Sequence, residues 1–275
     1  MFKNVTIGAD PEVFFHNVDK TKGFLSAEGL VGGTKEQPKK ILQEEGEGFA
    51  VQEDNVMAEY CIPPCKTQED FIENNLKVLD YLSDVAELNK AVVVITPSAE
   101  FDYNSVNTEQ AKTFGCEPDF GVYIEDLNPI IDANQIEGNF RFAGGHIHVG
   151  YDNPDFNQTV KLVKAMDIFL SLPSVWLDKD SKRKQYYGTA GRFRIKDYGL
   201  EYRTLSNFWL QSKEGIAWVY EQTMKAVEYV NSGDFDKIPE NVLSDVQKYI
   251  DQNSFLMAKT LHSRLTKETT KLSFK

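Results

Sequence analysis

Pairs of charged or imidazole side chains, each separated by a single residue, occur in segments with the composition of β-strands. Successive side chains of a strand point to opposite faces of the sheet, so residues i and i+2 share a face. Charged pairs are unexpected on a buried face, because an unpaired buried charge costs free energy. The pairs are Asp10 with Glu12, His146 with His148, Arg192 with Arg194, and Glu201 with Arg203.

Together the pairs predict a site for metal ions and phosphate, provided that their strands are neighbours. A further strand-like segment adds Glu59, which follows Glu53 and Asp54. Carboxylates gathered on one face raise one another's pKa, and a divalent cation is the simplest way to keep them ionised. Oxygen ligands favour Mg²⁺ or Mn²⁺, and imidazoles shift the preference toward Mn²⁺. Arginine side chains bind phosphates or carboxylates through two parallel bonds, so the combination indicates phosphate chemistry.

Each pair has a plainer interpretation when it is considered alone. The acidic pair could be a solvated strand start, the histidine pair an exposed edge strand, and the arginine pair a solvated hairpin. The mixed pair could form salt bridges across a sheet. If the site were absent, all four of these plainer interpretations would have to be true at once. We therefore favour the interpretation that the pairs form a site.

The strands that carry these residues are rich in β-branched and aromatic residues or alternate between polar and apolar residues. A turn is predicted at 17–22 and a long loop or hairpin at 29–48. A turn at 196–199 indicates an antiparallel hairpin. The predicted strands are 5–15, a strand through Glu59, Tyr60 and Cys61, and the segments 91–101, 140–150, 191–195 and 200–206.

Helices are predicted where apolar residues recur at helical spacing, at Thr67–Leu88, at Asp155–Leu172 and over most of the chain after Ser212. Strands come first, mixed elements follow and helices come last. This order favours an α+β fold with helices packed on one face of a largely antiparallel sheet and the active site on the other. We expect a single domain over residues 1–275, with the catalytic sheet mostly in 1–210 and a helical part in 211–275.

Composition excludes several classes of partner. The 275 residues include 30 basic and 42 acidic residues, and the net charge of −12 would repel a nucleic acid backbone. A signal peptide and a long apolar run are both missing, so we expect a cytoplasmic protein without a membrane partner. The three cysteines show no paired CxxC spacing, which argues against a disulfide framework or a thiolate zinc site. Since no GxxxxGK[ST] run occurs, any ATP must bind on the sheet face.

Five motifs, in their order and spacing, resemble the glutamine synthetase and γ-glutamylcysteine ligase superfamily. The resemblance is greatest to the phage-associated carboxylate-amine ligase family called COOH.NH2 ligase type 2, and it covers most of residues 5–210. It implies a glutamine synthetase-like antiparallel sheet that holds two or three divalent ions between ATP and substrate. The motifs are IGADPEVF at 7–14, DNVMAEYCIPP at 54–64, FGCEPDF at 114–120, AGGHIHVG at 143–150 and GLEYRTLSN at 199–207.

The resemblance also implies how the metal ligands divide between two sites. One site is expected to contain Asp10, His146 and Glu201, and the other Glu12 and Glu59. The second site needs one more carboxylate, for which Glu53 and Asp54 compete with Gln52 nearby. Glu53 has the strand parity of Glu59 if the strand is continuous, whereas a bulge would substitute Asp54. His148 is expected to be a ligand or a contact to the carboxylate substrate.

Other residues acquire roles in substrate binding from the same resemblance. Arg192, Arg194 and Arg203 are expected to hold the phosphates of ATP and the transferred phosphoryl group. Glu117 and Asp119 could bind the amine, or they could only shape a turn.

The implied reaction joins a carboxylate to an amine at the expense of ATP, with Mg²⁺ or Mn²⁺, through an acyl phosphate. The substrates stay open, and they include small amino acids, a peptide end, a cell-wall peptide and a modified nucleotide. A homo-oligomer is equally open.

Other functions remain as alternatives. A cupin-like oxygenase would suit the two histidines with Asp152, but it needs a third histidine, and only His16 and His262 remain. It would also leave the three arginines unexplained. A guanidino-group kinase would leave the histidine pair unexplained. A catalytically silent binding module on the same fold would bind ligands without ATP turnover.

Overall fold

The computed structural model describes residues 1–112, 119–123, 136 and 138–268 of the chain. In these residues the strands pair antiparallel throughout, and the helices concentrate after the sheet. The α+β class predicted from the sequence is therefore confirmed. The strands are β1 Thr6–Asn17, β2 Phe24–Leu25, β3 Lys39–Lys40, β4 Ala50–Asp54, β5 Met57–Cys61, β6 Ala91–Val94, β7 Ser98–Glu100, β8 Phe120–Gly121, β9 Phe140–Phe142, β10 Gly145–Gly150, β11 Arg192–Lys196 and β12 Gly199–Tyr202.

The helices confirm the segments that helical periodicity predicted. Thr67 caps the N-terminus of α1, where its side chain accepts a hydrogen bond from the amide of Asp70. Asp155 caps α3 in the same way through the amide of Gln158. The helices are α1 Gln68–Leu88, α2 Glu109–Lys112, α3 Phe156–Met166, α4 Leu172–Leu177, α5 Lys213–Asn231, α6 Glu240–Asp251 and α7 Phe255–Thr266.

The main sheet has the strand order β3-β4-β5-β1-β10-β12-β11-β8, and β2 and β6 also pair with β1. The long strand β1 therefore lies at the centre. Its register and that of its neighbours bring the polar residues of the sequence motifs opposite one another. The antiparallel partners are Asp10 and His146, Glu12 and Glu59, His148 and Glu201, and Arg194 and Glu201.

The opposite face of the sheet is apolar and is covered by helices. Residues of β1 and β10 that alternate with the polar set, such as Val13, Ile147 and Val149, are fully buried. Helix α1 contributes Phe71 and Leu82 to the same core, and α5 packs against both α1 and α3. Full burial of each such side chain stabilises the fold by about 1.5–3 kcal/mol. The polar face is consequently the one left for ligands.

Two predicted strands are each divided in the structure. The predicted strand 91–101 is wrong as a single buried strand, because β6 pairs with β1 whereas β7 pairs with β9 in a separate sheet. Pro97, which lacks an amide hydrogen, lies between the two parts. The predicted strand 140–150 is likewise divided into β9 and β10. At the start of β10, a Cβ atom on Gly145 would lie 2.3 Å from the carbonyl oxygen of Ser206, so this close approach requires glycine.

The predicted helix 155–172 extends further than expected. It passes from α3 through a π-helical turn, Asp167–Ser171, into α4. The turn brings Asp167 and Ser171 to the hydroxyl group of Tyr202, which donates a 2.5 Å hydrogen bond to the Asp167 carboxylate. These buried contacts anchor β12 next to Glu201. Within the described ranges, the structure contains no helix with the length and apolarity needed to span a bilayer.

Candidate active site

The polar face of the sheet holds two groups of potential metal ligands. The first, which we call the histidine cluster, consists of Asp10, His148 and Glu201. The second, which we call the carboxylate cluster, consists of Glu12, Asp54 and Glu59. In each cluster the candidate ligand atoms lie within 4.8 Å of one another.

In the histidine cluster, the two carboxylates are held ionised by neighbouring cations. Burial raises the pKa of Asp10, but the charge of His148 and the close approach of the His146 and His148 rings outweigh burial and bring it well below its usual value. Burial and the charge of Asp10 raise the pKa of Glu201, but Arg203 and the two histidines lower it to about 2. Both side chains are therefore available as anionic ligands at neutral pH.

His148 is oriented by a contact on its other ring nitrogen. Its Nδ1 atom lies next to the hydroxyl group of Tyr198, and its Nε2 atom lies 3.0 Å from Oδ1 of Asp10. Contacts of this kind fix the ring orientation of metal-binding histidines. Burial lowers the pKa of His148, but Asp10 raises it above its usual value overall.

His146 lies beside the histidine cluster. Its Nδ1 atom is 3.6 Å from Oδ1 of Asp10 and 3.7 Å from Oε1 of Glu201. Burial and the charge of Arg203 lower its pKa, which favours the neutral imidazole that binds metals. The geometry thus places His148 in the compact group and His146 at its edge, and the assignment of His146 as a ligand stays a prediction.

The carboxylate cluster has the opposite electrostatics. Burial and the charge of Asp54 raise the pKa of Glu12 to about 8. Burial and the charges of Asp10, Asp54 and Glu12 raise the pKa of Glu59 well above its usual value, although its carboxylate accepts a 2.9 Å hydrogen bond from the Gln52 amide. The hydrogen bond from Gly144 and the charges of Arg183 and Arg203 lower the pKa of Glu12, but they do not outweigh burial.

The interpretation that Glu53 shares the face of Glu59 is wrong. Strands β4 and β5 form a hairpin in which Asn55 adopts a left-handed conformation, and Gln52, not Glu53, lies opposite Glu59. In a continuous strand, odd-numbered residues such as Glu53 and Glu59 would share a face. Because the chain reverses between β4 and β5, the even-numbered residues of β4, Gln52 and Asp54, share the face of Glu59 instead. The Glu53 carboxylate instead accepts hydrogen bonds from the amides of Gly29 and Gly32.

We expect Asp54→Asn to weaken Mn²⁺ binding to the carboxylate cluster by at least about tenfold, because it removes one of the three carboxylates that would bind the ion. Glu53→Gln removes the same charge from the adjacent residue but should leave this affinity unchanged. Mn²⁺ titrations of both variants by calorimetry would test the assignment. Equal losses of affinity in the two variants would indicate a general charge effect and contradict it.

Basic side chains line the polar face along β11 and just beyond β12. Nη1 of Arg194 lies 3.6 Å from Oε1 of Glu201, which also contacts Arg203. The Asp119 carboxylate lies between Arg192 and Arg203. It is 3.6 Å from Nη1 of Arg192 and 3.5 Å from Nε of Arg203. Asp119 is therefore next to the basic group, and its role in binding an amine stays a prediction.

Two cavities adjoin the clusters. A cleft of about 430 Å³ extends from Asp10 and His148 along the start of β1 and the ends of β5 and β10. A smaller cavity of about 40 Å³ lies beside Glu12 and Asp54 and contains Arg183 among its lining residues. The other residues of the cleft are Thr6, Gly8, Ala9, Cys61, Ile62, Pro64, Gly150 and Tyr198. The other residues of the smaller cavity are Asn55, Met57, Arg141, Phe142, Gly144, His146, Tyr187 and Arg203.

The donors of the histidine cluster fit a divalent ion. Oδ1 of Asp10, Nε2 of His148 and Oε2 of Glu201 are buried and form no hydrogen bond of acceptable geometry with any described residue. Buried polar atoms in this state are costly, and a shared cation would satisfy all three. A set of two carboxylates and an imidazole suits Mn²⁺ or Mg²⁺.

Several residues next to the two clusters were missed by the pairwise analysis of the sequence. Lys196 lies two residues beyond Arg194 on β11, and its ammonium group is 2.8 Å from Oε2 of Glu201. The same spacing rule, extended by one step, would have identified it. Arg183 and Arg141 come from outside the motifs, and nothing in their local sequence marks them. The predicted substrate residue Glu117 lies outside the described residues.

A comparison with protein-family models agrees with the motifs. Residues 137–249 match the family model described as phage phiEco32-like COOH.NH2 ligase-type 2. The resemblance inferred from the motifs is therefore confirmed over this part of the chain, which carries both histidines of the HxH pair and all three predicted arginines. The comparison with curated proteins gave no match.

One solved structure, described as a novel glutamine synthase homologue, is similar at 13% sequence identity and a TM-score of 0.36. The similarity covers 97% of this chain and 68% of that one.

Proposed function

We propose that this chain, whose residues 137–249 match a carboxylate-amine ligase family model, is an ATP-dependent enzyme that forms an amide through an acyl phosphate. The observation that carries the proposal is the joint placement of two metal-ligand clusters and a group of basic side chains on one sheet face. Metal ligands beside guanidinium groups are the arrangement that phosphoryl transfer requires.

The histidine cluster and the carboxylate cluster would each hold Mg²⁺ or Mn²⁺. When bound, such ions neutralise charge on the transferred phosphoryl group. The larger cleft, which begins at Asp10 and His148 and is mostly apolar in its lining, suits the base and ribose of ATP. Arg183, which lines the smaller cavity beside Glu12, suits a contact with the carboxylate group of the acid.

In the proposed first step, a carboxylate oxygen of the acid attacks the γ-phosphorus of ATP. The bond to the β,γ-bridging oxygen breaks, and ADP leaves with the acyl phosphate still bound. Arg194 and Arg203 orient the phosphates and stabilise the charge that builds on the phosphoryl oxygens. Their own orientation is set by Glu201, with which both form ion pairs.

In the second step, the cationic amine first gives a proton to a base, and the neutral nitrogen attacks the acyl carbon. The bond from carbon to the phosphate oxygen breaks, phosphate is released, and the nitrogen loses its second proton. Asp119, held beside Arg192 and Arg203, is a candidate for binding the cationic amine. The ATP requirement favours the cytoplasm as the location of the enzyme, and we expect small-molecule or peptide substrates.

The oxygenase alternative loses support from the positions of the remaining histidines. His16 packs against Phe24 and His262 packs against Trp176, and neither belongs to the two ligand clusters found among the described residues. Asp152, its fourth candidate ligand, accepts a hydrogen bond from Asn4. We therefore retain the ligase.

The test is ADP formation by the purified protein with Mg²⁺ or Mn²⁺ across pools of carboxylic acids and amines. We expect turnover that requires both an acid and an amine, and none in the Asp10→Ala/Glu12→Ala variant. Metal-dependent ATP binding without turnover in any pool would support a binding module. Bound iron without ATP binding would overturn the proposal in favour of an oxygenase.

A further inference from the structure

Lys196 forms an ion pair with a proposed metal ligand. Its ammonium nitrogen lies 2.8 Å from Oε2 of Glu201, the same oxygen that has no hydrogen bond of acceptable geometry among the described residues. The Lys196 side chain is 32% exposed, whereas that of Glu201 is 1% exposed. A flexible, partly solvated cation therefore contacts a buried carboxylate that the metal also needs.

The other cations around Glu201 are more firmly held. Arg203 contacts Oε1 of Glu201 and also approaches Asp119. The Arg194 side chain, which pairs with Glu201, is only 13% exposed. Lys196, at the end of the same strand, has a long unbranched side chain and a more open position, so it is the cation that can move away with the least rearrangement.

We propose that Lys196 is an exchangeable counter-ion, which neutralises Glu201 before metal binds and transfers to the phosphates of ATP when the histidine cluster takes up its ion. The inference rests on the proposed function, because it requires metal and ATP at this site. It adds a residue that neither the motifs nor the family match assigns.

Electrostatics gives the reason for the exchange. A divalent ion bound by Asp10, His148 and Glu201 would share the Glu201 carboxylate with the Lys196 ammonium, and the two cations would repel each other. Lys196 must then give up part of its interaction with Glu201. A polyphosphate next to the cluster offers the ammonium group a new anionic partner. Metal binding alone is therefore opposed by Lys196, whereas metal and nucleotide together are favoured.

This exchange makes the binding of metal and nucleotide cooperative. Coupling between two ligands is reciprocal, so the factor by which nucleotide tightens metal binding equals the factor by which metal tightens nucleotide binding. The carboxylate cluster, whose Glu59 accepts a hydrogen bond from the neutral Gln52 amide, lacks this competing lysine among its described contacts. The histidine cluster alone should show the dependence on nucleotide.

The experiment is a titration of the whole chain with Mn²⁺, with and without a non-hydrolysable imido analogue of ATP, in an Asp54→Asn background that impairs the carboxylate cluster. Electron paramagnetic resonance reports free Mn²⁺ directly, so the readout does not depend on turnover. We expect Lys196→Met to tighten Mn²⁺ binding about tenfold without nucleotide and to weaken binding of the analogue about tenfold.

Two further variants act as controls. Lys161→Met breaks an exposed ion pair of similar length, in which the Lys161 ammonium lies 2.7 Å from the Asp236 carboxylate. This variant should change neither the affinity for Mn²⁺ nor the affinity for the ATP analogue. Lys196→Arg keeps the charge and should retain most of the coupling. Circular dichroism of each variant would verify that it is folded.

The results separate this inference from the proposed function. If wild-type protein binds Mn²⁺ and the analogue but Lys196→Met leaves the coupling unchanged, the counter-ion role is overturned and the ligase stands. If wild-type protein binds neither Mn²⁺ nor the analogue, the proposed function fails, and the inference fails with it.

Discussion

Glu201→Ala is expected to reduce ADP formation about 10³-fold, to the limit of detection, while the chain still folds. Glu201 is the proposed ligand that also anchors the basic side chains of the site. Its Oε1 atom contacts Arg194 and Arg203, and its Oε2 atom contacts Lys196. Removal of the carboxylate thus eliminates the proposed metal ligand and releases the cations that are proposed to orient the phosphates.

The isosteric variant Glu201→Gln separates charge from volume. The amide keeps an oxygen that can accept from Arg203 and fills the same space, but it cannot neutralise a divalent ion. We expect a loss of ADP formation comparable to that of the alanine variant, measured with a coupled assay at saturating metal. Glu221→Ala removes a glutamate paired with a cation, 2.7 Å from Lys225 on α5, and should retain full activity. Undiminished turnover by folded Glu201→Ala would refute the metal assignment.

The metal-free protein is expected to lose stability as the pH rises from about 4.5 to about 8. The pKa of Glu12 is raised from 4.5 to about 8 by burial and by the charge of Asp54, so the folded state holds a proton that the unfolded chain releases over this interval. Folded protein then binds more protons than unfolded protein, and stability falls with rising pH. The expected loss is on the order of a few kcal/mol. Glu59, whose pKa is also raised by burial, adds in the same direction.

Chemical denaturation in EDTA at about pH 5 and about pH 8 would measure this loss. Glu12→Gln should flatten the dependence, because the amide does not titrate and can still accept the hydrogen bond from the amide of Gly144. Saturating Mn²⁺ should reverse the trend in wild-type protein, because it binds the ionised carboxylates. Asp10 and Glu201 have lowered pKa values, so their contributions are lost below about pH 4 and fall outside this interval. A pH dependence that is identical in wild type and Glu12→Gln would contradict the prediction.

Strand parity within a single strand was enough to place most of the candidate site. The pairs at i and i+2 in β1, β10 and β11 lie on one face because the two-residue repeat of a strand is a local property of the backbone. The apolar residues between them, such as Ile147 and Phe193, determined in the same way which face the helices cover. Helical periodicity located α1 and α3 with their capping residues for an equally local reason.

Relations between strands were decided only by the tertiary structure. The placement of Asp54 rather than Glu53 on the face of Glu59 depends on the register of the hairpin between β4 and β5. The position of His148 in the histidine cluster depends on how β10 pairs with β1 and β12. Arg183 reaches the smaller cavity from a segment far along the chain, and its local sequence carries no periodic signal. The sequence by itself determined which residues share a face, because that follows from backbone geometry within one strand. The tertiary structure decided which of them meet, because register and the contacts between distant segments depend on packing of the whole chain.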